Sequence, residues 1–281
     1  MIQPFRWNIQ KRNELGTLIN EGSIQIDEKF INELALSAAR IIAFSDDSRL
    51  YFIGRSPENY FDFLNGIYRE RKFAALINLF QYSEGRYDME RLRKNEVKLS
   101  YLREQMKSIG LSPKVILENK RSTALVDVVY TGSTMKNLIE NIRDWTIYER
   151  LDWKSVRSKI RIVGITFRTK NSPNTWRWQQ QTDAKRILEG IKVKNVSITW
   201  GLWNEIGNTQ SKVTTSNSPN LWDSDKLEKP IRLKEHLEGL NFAYALNQLA
   251  GQKEIRELLK LNMQKQIEMK YKWFREWYDN I

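Results

Sequence analysis

Short apolar runs rich in β-branched residues alternate along the chain with longer segments in which apolar side chains recur every three or four positions. The short runs predict strands at 50–54, 73–80, 114–117, 124–129, 160–167 and 193–200. The helical spacing predicts helices at 28–44, 89–109, 135–145, 231–249 and 253–278. Because strands that alternate with helices are joined by right-handed crossovers, the pattern predicts an α/β fold with a mainly parallel sheet flanked by helices.

The same pattern divides the chain into three parts. Residues 1–26 carry few strong signals, and we expect them to form an N-terminal arm that packs on the body. The α/β domain covers 27–200 and begins at Asp27, which is a good N-cap for the first long helix. Residues 201–281 form a helical C-terminal part that opens with a long loop, 201–230, rich in Asn, Ser and Thr. Loops of this length in compact domains are usually functional or mobile.

The last predicted helix, 253–278, ends in an aromatic cluster in which Trp273 and Trp277 share one face at i, i+4 spacing. We expect one continuous helix that contributes Leu258, Leu261 and both tryptophans to an interface. That interface lies either within the chain, where the helix docks on the body, or with a partner protein. Docking is the preferred interpretation.

The composition excludes several kinds of site. The chain of 281 residues has no cysteine, which excludes disulfides, thiolate catalysis and cysteine-ligated metal. His236 is the single histidine, so a multi-histidine metal site cannot exist, and its setting is typical of a helix surface. No apolar run approaches the roughly 20 residues that a membrane span needs, and the first residues lack the apolar core of a signal peptide. We therefore expect a cytoplasmic protein without a membrane segment.

The chain is basic, with a formal net charge of +12. Between Lys154 and Lys194 it carries 11 Lys or Arg against 2 Asp or Glu, a net +9, so the excess is concentrated at 154–194. Such a surface suits a polyanionic partner, which would be a nucleic acid, a phosphorylated small molecule or an acidic protein. The alternative is an ordinary solvated face. The oligomeric state is left open by the sequence.

The predicted strand 124–129 leads directly into a polar turn and a helix start. The turn consists of Thr131, Gly132, Ser133 and Thr134. Small hydroxyl residues and a glycine let backbone N–H groups approach an anion closely, and the positive end of the helix dipole attracts it. A phosphate is the natural ligand for such a turn. The alternative is a structural turn in which Ser133 or Thr134 only caps the helix.

Two other predicted strands also end in polar loops. The strand 50–54 is followed by a second strand–loop–helix, whose loop carries Gly54, Arg55 and Ser56, with Ser56 as the expected N-cap. The loop after Phe167, residues 168–183, contains Trp176 and Trp178. These tryptophans either stack on a base or pack on neighbouring helices. All three loops follow strands of a parallel sheet, so we expect them to share one edge, as in a ligand-binding crevice.

The stretch 124–134 resembles the ribose-phosphate-binding motif of the type I phosphoribosyltransferases, which has an apolar strand, two acids and a Thr-Gly-rich loop. In that register Asp127 matches the second acid and 131–134 match the loop around the 5′-phosphate. Val126 stands where the family usually has its first acid, which helps to hold the ribose hydroxyls and magnesium. The sequence of residues 52–58, Phe-Ile-Gly-Arg-Ser-Pro-Glu, also resembles phosphoribosyltransferase-like proteins found near bacterial tellurite-resistance genes.

The resemblance implies a protein that binds phosphoribosyl pyrophosphate or a nucleotide and transfers or removes the phosphoribosyl group. Asp127 would be the catalytic residue that holds the ribose hydroxyls, residues 131–134 would bind the 5′-phosphate, and residues 54–56 would bind pyrophosphate. Magnesium would be the cofactor of an active enzyme. Two alternatives remain: a non-catalytic nucleotide sensor, of which Val126 would be the sign, and a nucleic-acid-binding protein that uses the basic stretch 154–194.

Overall fold

The computed structural model describes residues 6–20, 22, 24–69, 74–77, 93–167, 177–214 and 234–281. The strands are β1 Arg49–Ile53, β2 Ala74–Ile77, β3 Thr123–Val128, β4 Ile160–Phe167 and β5 Lys192–Ile198. The α-helices are α1 Arg12–Leu15, α2 Glu28–Phe44, α3 Glu58–Ile67, α4 Glu96–Ser108, α5 Pro113–Glu118, α6 Ser133–Tyr148, α7 Trp153–Ser158, α8 Thr182–Ile187, α9 Trp200–Asn204, α10 Lys234–Ala250, α11 Lys253–Gln264 and α12 Lys272–Asp279.

The strands form one five-stranded sheet in the order β2-β1-β3-β4-β5, and every pairing between neighbours is parallel. The predicted α/β fold with a parallel sheet is therefore confirmed. The register places Asp127 of β3 beside Gly164 of β4, and Gly164 beside Asn195 of β5. These three residues form a row near the carboxyl edge of the sheet.

Two helical layers cover the two faces of the sheet. The α2 layer contains α2, α3 and the C-terminal helices α10 to α12, whose apolar side chains pack on strand residues such as Phe52 and Val126. The α6 layer contains α4 to α8 and packs on residues such as Tyr51 and Leu125. Successive strand residues point to opposite faces, so Val126 and Asp127 face different layers.

The N-terminal arm packs on the body, as expected from the sequence. Ile9, Leu15 and Ile19 are buried in a small third cluster with Leu240 of α10. Within the described residues no helix is long and apolar enough to cross a membrane.

Residues 114–117 were expected to form a strand and instead lie in helix α5, so that prediction is wrong. Ser112 caps the helix by accepting a hydrogen bond from the N–H of Val115, at 3.4 Å, and Pro113 occupies the first turn. A serine followed by a proline is a helix start, and this signal outweighs the β-branched content of a four-residue run. The neighbouring predictions are confirmed in part. Of the strand 73–80, residues 74–77 form β2, and 73 and 78–80 lie outside the described residues. Of the helix 89–109, residues 96–108 form α4, which starts only after its N-cap Asn95, and 89–92 lie outside the described residues.

The region after β5 also differs from its prediction. The expected loop 201–230 begins with α9 and a π-helix, Glu205–Thr209, and its residues 215–230 lie outside the described residues. The expected single helix 253–278 is divided into α11, a 3₁₀ turn at Ile267–Lys270, and α12.

Docking explains why the last helix is divided. The break lets α12 fold back so that Phe274 and Trp277 are buried, with the Trp277 ring 5.2 Å from that of Tyr68. Leu258 and Trp273 are partly buried against the same core. Leu261 is 54% exposed, so it takes no part in the docking of these helices on the body.

Candidate functional site

The loops after β1 and β3 lie at the point where the strand order of the sheet reverses. From β1 the chain passes through α3 in the α2 layer to β2, whereas from β3 it passes through α6 in the α6 layer to β4. Because the two connections leave on opposite faces, this is the point at which open parallel sheets form their ligand-binding crevice, and we refer to it as the crevice. The sequence-predicted residues of both loops are therefore brought to the same edge.

The loop after β3 has the backbone geometry of an anion-binding turn. Gly132 is left-handed, with φ +76°, and it is the N-cap residue of the 16-residue helix α6. No side chain of the described part of the chain caps this helix, so the expectation that Ser133 or Thr134 acts as the cap is wrong. The hydroxyl oxygens of Thr131 and Ser133 lie 2.9 Å apart. An uncapped helix start offers backbone N–H donors and a positive dipole end to an anion.

Asp127 stands near the end of β3, four positions before Thr131, and it is 8% exposed. Burial raises the pKa of its carboxyl group well above the ordinary value, and a hydrogen bond with the Val128 backbone acts in the opposite direction. No lysine or arginine of the described residues forms an ion pair with it. A cation or a ligand hydroxyl placed here would therefore stabilise the charged form of Asp127, which has no cationic partner among the described residues.

Val126 is fully buried in the α2 layer and does not share the face of Asp127. The described residues hold no cluster of three or more groups that could bind a metal ion. Magnesium, however, is commonly held by one or two carboxylates together with substrate phosphates. Asp127 fits that role as a single protein ligand, so the ion would have to arrive with a phosphorylated compound.

The loop after β1 supplies the second predicted set of residues. Gly54 is buried and left-handed, with φ +77°, Arg55 is exposed, and Ser56 is half-buried. Ser56 is not the N-cap, because Pro57 takes that position and α3 begins at Glu58. The predicted helix start after β1 is confirmed, but the N-cap is Pro57, one residue after the predicted Ser56.

Glu58, the first residue of α3, holds the chain segment that follows α9. Its carboxylate is buried and accepts hydrogen bonds from the backbone N–H groups of Val213 and Thr214, both at 3.0 Å. Asn59 in the same turn donates to Gln210, and the would-be Cβ of Gly207 lies 3.8 Å from Val128. The segment 205–214 therefore crosses the crevice from the end of β3 to the start of α3.

Lys212 in this segment is a candidate that the sequence analysis did not name. Its ammonium group donates to the Gln210 side chain at 3.0 Å, and burial lowers its pKa to about 8. The charge of Glu58 opposes that shift, whereas the charge of Arg55 adds to it. Nothing in a loop rich in Asn, Ser and Thr marks this lysine, because its burial results from long-range packing.

Aromatic side chains follow three neighbouring strands at the same edge. We call Tyr130, Phe167, Trp200 and Trp203 the strand-end aromatic cluster. Phe167 lies 4.7 Å from Trp200 and 4.8 Å from Trp203 between ring centroids, and the Tyr130 ring is nearly parallel to that of Phe167 at 6.5 Å. Tyr130 is 71% exposed and Trp200 is 53% exposed, so one side of the cluster faces solvent next to the 131–134 loop. The buried indole nitrogen of Trp203 has no hydrogen-bond partner among the described residues.

Trp178 is buried, so it packs within the protein and is not available to stack on a base. Trp176 lies outside the described residues. The indole N–H of Trp178 donates to the side-chain oxygen of Asn195 at 2.8 Å. The indole lies against Gly132 and Gly164, where a Cβ atom would overlap the ring at Gly132 and would lie 3.1 Å from the indole nitrogen at Gly164. Trp178 thus forms one wall of the 131–134 loop.

Basic residues of the 154–194 stretch lie largely at the other edge of the sheet. Arg161 and Lys192 contact Asp46, at 3.4 and 3.5 Å, and Lys159 donates to two backbone carbonyl groups. Lys192 and Lys194 also lie in the edge strand β5, where lysine is common because it discourages pairing with another sheet. These cations have local structural roles and are remote from the crevice.

Comparisons with protein-family models, with curated proteins and with solved structures find no match for this chain.

Proposed function

We propose that the chain binds a ribose 5-phosphate compound, either phosphoribosyl pyrophosphate or a nucleotide, in the crevice between the loops after β1 and β3. One observation carries the proposal: Asp127 and the uncapped, glycine-led start of α6 meet at the point where the strand order reverses. Parallel sheets of this kind bind ligands in the crevice at that point. In the proposed complex, Asp127 would accept from hydroxyl groups of the ligand and the loop that follows it would bind the phosphate.

Each part of the ligand has a suitable protein group. The 5′-phosphate would lie on the 131–134 loop, with hydrogen bonds from backbone N–H groups and from the hydroxyls of Thr131, Ser133 and Thr134. The ribose hydroxyls would donate to Asp127. Pyrophosphate, where the ligand carries it, would lie near Gly54 and Arg55, with magnesium between its oxygens and Asp127.

The strand-end aromatic cluster favours a nucleotide over a sugar phosphate alone. Tyr130 is exposed and immediately precedes Thr131, the first residue of the 131–134 loop, which we call the phosphate loop, and Trp200 is an exposed member of the same cluster. A nucleobase stacked on an aromatic ring gains about 1–3 kcal/mol. The rest of the cluster supports these rings from below through the contacts of Phe167.

The proposal separates binding from turnover. Transfer of a phosphoribosyl group passes through an oxocarbenium-like transition state, and the site must stabilise a departing pyrophosphate. The single carboxylate at Asp127 and the burial of Val126 favour a ligand-binding role, so we propose a nucleotide sensor as the second candidate.

Calorimetry tests the binding proposal. Ribose 5-phosphate, phosphoribosyl pyrophosphate, the four common nucleoside monophosphates and inorganic phosphate are titrated with and without magnesium. We expect nucleotides to bind more tightly than ribose 5-phosphate. Thr131→Val/Ser133→Ala should weaken every phosphorylated ligand by about tenfold, the loss of one or two hydrogen bonds to a charged group.

A matched pair of tyrosines tests the contribution of the base. Tyr130→Ala should weaken nucleotides and leave ribose 5-phosphate unchanged. Tyr148→Ala is the control, because Tyr148 is 78% exposed at the other end of α6. No binding of any ribose 5-phosphate compound would refute the proposal. Tight binding of an oligonucleotide that falls steeply with salt would favour the nucleic-acid alternative instead.

A further inference from the structure

Trp178 has a location that core packing alone does not require. Its indole occupies a slot made by two glycines from different parts of the fold, Gly132 in the phosphate loop and Gly164 in β4. A Cβ atom at Gly132 would lie only 2.7 Å from Cζ3 of the indole, so no other residue fits at position 132 while the ring is present. The ring therefore lies directly on the residue that starts α6.

Asn195 fixes the orientation of the ring. Its side-chain oxygen accepts from the indole N–H at 2.8 Å, and its backbone pairs with that of Gly164 in the row that also contains Asp127. With a side chain at position 164, the ring could not reach both Asn195 and Gly132, because the added Cβ would lie 2.8 Å from the Asn195 oxygen. The orientation of the ring is therefore fixed by the hydrogen bond to Asn195 on β5, and the space for the ring is left by Gly164 on β4.

We propose that Trp178 is a positioning residue for the phosphate loop. The indole holds the Gly132 backbone in its left-handed conformation, and this conformation determines where the N–H groups of the first turn of α6 point. Affinity for a phosphorylated ligand then depends on a residue that does not itself touch the ligand. The ligand part of this inference rests on the proposed function, whereas the effect on loop conformation does not.

Trp178→Phe is the direct test, because phenylalanine keeps an aromatic ring but is too short to reach Gly132 and has no N–H for Asn195. Trp145→Phe is the matched control, since Trp145 is equally buried in the same core cluster but lies in the second half of α6. With both proteins shown to be folded by circular dichroism, calorimetry measures ribose 5-phosphate binding. We expect Trp178→Phe to weaken binding by about 10–100-fold and Trp145→Phe to leave it unchanged.

Spectroscopy adds a signature that a purely structural role would not give. In protein labelled with 5-fluorotryptophan, the ¹⁹F resonance that Trp178→Phe removes identifies this residue among the 10 tryptophans. That resonance should shift on addition of ribose 5-phosphate, and the Trp145 resonance should not. Asn195→Ala is a milder second variant, expected to shift the Trp178 resonance in the free protein and to weaken binding less than Trp178→Phe does.

Amide hydrogen exchange tests the positioning role without a ligand. Exchange at the Lys136 amide, whose N–H donates to the Gly132 carbonyl at 2.9 Å, should be faster in Trp178→Phe than in Trp145→Phe. If the unmutated protein binds, unchanged affinity in folded Trp178→Phe protein overturns the inference. If the unmutated protein does not bind, the proposed function fails, and the exchange comparison alone decides whether Trp178 positions the loop.

Discussion

Removing Arg6 should destabilise the protein far more than its position in the N-terminal arm suggests. Both terminal nitrogens of its guanidinium group donate to the Asp62 carboxylate, at 2.9 and 2.8 Å, and both side chains are almost completely buried. Arg6→Met keeps the apolar stem and leaves the Asp62 carboxylate in the core without this partner. Breaking a buried pair from one side costs about 3–5 kcal/mol, a large fraction of the stability of a typical domain.

The loss of stability in Arg6→Met should depend on pH, because Asp62 titrates. Burial raises the pKa of Asp62 to about 6, although Arg6 acts to lower it. A folded-state pKa above the unfolded value means that the stability falls as the pH rises through this range. Without Arg6 the pKa of Asp62 should rise further, so the deficit of Arg6→Met relative to the unmutated protein should be larger at pH 8 than at pH 5.

Urea unfolding followed by circular dichroism measures the free energy of unfolding at both pH values. Two controls bracket the result. Lys11→Met removes an exposed ion pair with Glu14 on the same arm and should cost less than about 1 kcal/mol. Arg6→Met/Asp62→Leu removes both buried charges and should recover most of the loss. A deficit of Arg6→Met that matches Lys11→Met, or that does not change with pH, would refute the reasoning.

Three further outcomes are expected. Asp127→Asn should increase the free energy of unfolding at pH 8 more than at pH 4, since the raised pKa makes the buried carboxylate unfavourable at high pH. In calorimetry the same substitution should weaken the binding of ribose-bearing ligands more than the binding of inorganic phosphate. Gly66→Ala should cost about 1–3 kcal/mol in urea unfolding because the new Cβ would overlap the backbone of α10, whereas helical Gly201→Ala, with its nearest neighbour at 3.9 Å, should not destabilise. Trp277→Ala should cost about 3–5 kcal/mol in the same assay by emptying the contact with Tyr68.

Elements with a strong periodic pattern could be predicted from the sequence. The predicted helix 28–44 matches α2 at both ends. Its start is set by a local signal, because the Asp27 side chain caps it by accepting from the Phe30 N–H. The strand 160–167 matches β4 in full. The failures have a tertiary cause or a missed local signal: α12 folds back to bury Trp277, and Ser112 starts a helix where a strand was expected.

The candidate site could be predicted only in its local parts. Asp127 lies near the end of β3, and Gly132 and the turn residues around it come next along the chain. Their proximity in the fold therefore follows from their proximity in the sequence. Trp178 and Lys212 reach the site from other segments. Trp178 bonds to Asn195 and lies against Gly132, and Lys212 is buried near the charges of Glu58 and Asp62. A single sequence contains no local pattern that distinguishes such a residue from an ordinary buried tryptophan or surface lysine.

The alternation of β3 explains why Val126 and Asp127 have separate roles. Leu125, Asp127 and Val129 share the face of the α6 layer, and Val126 faces the α2 layer, where it is fully buried among apolar side chains. An acid at position 126 would bring a charge into that core, whereas Asp127 lies in the row that ends at the crevice. The single carboxylate is thus consistent with the packing of the α2 layer. A ligand whose ribose is held by one carboxylate depends more heavily on its phosphate and its base, which is why the 131–134 loop and Tyr130 are the decisive places to test this site.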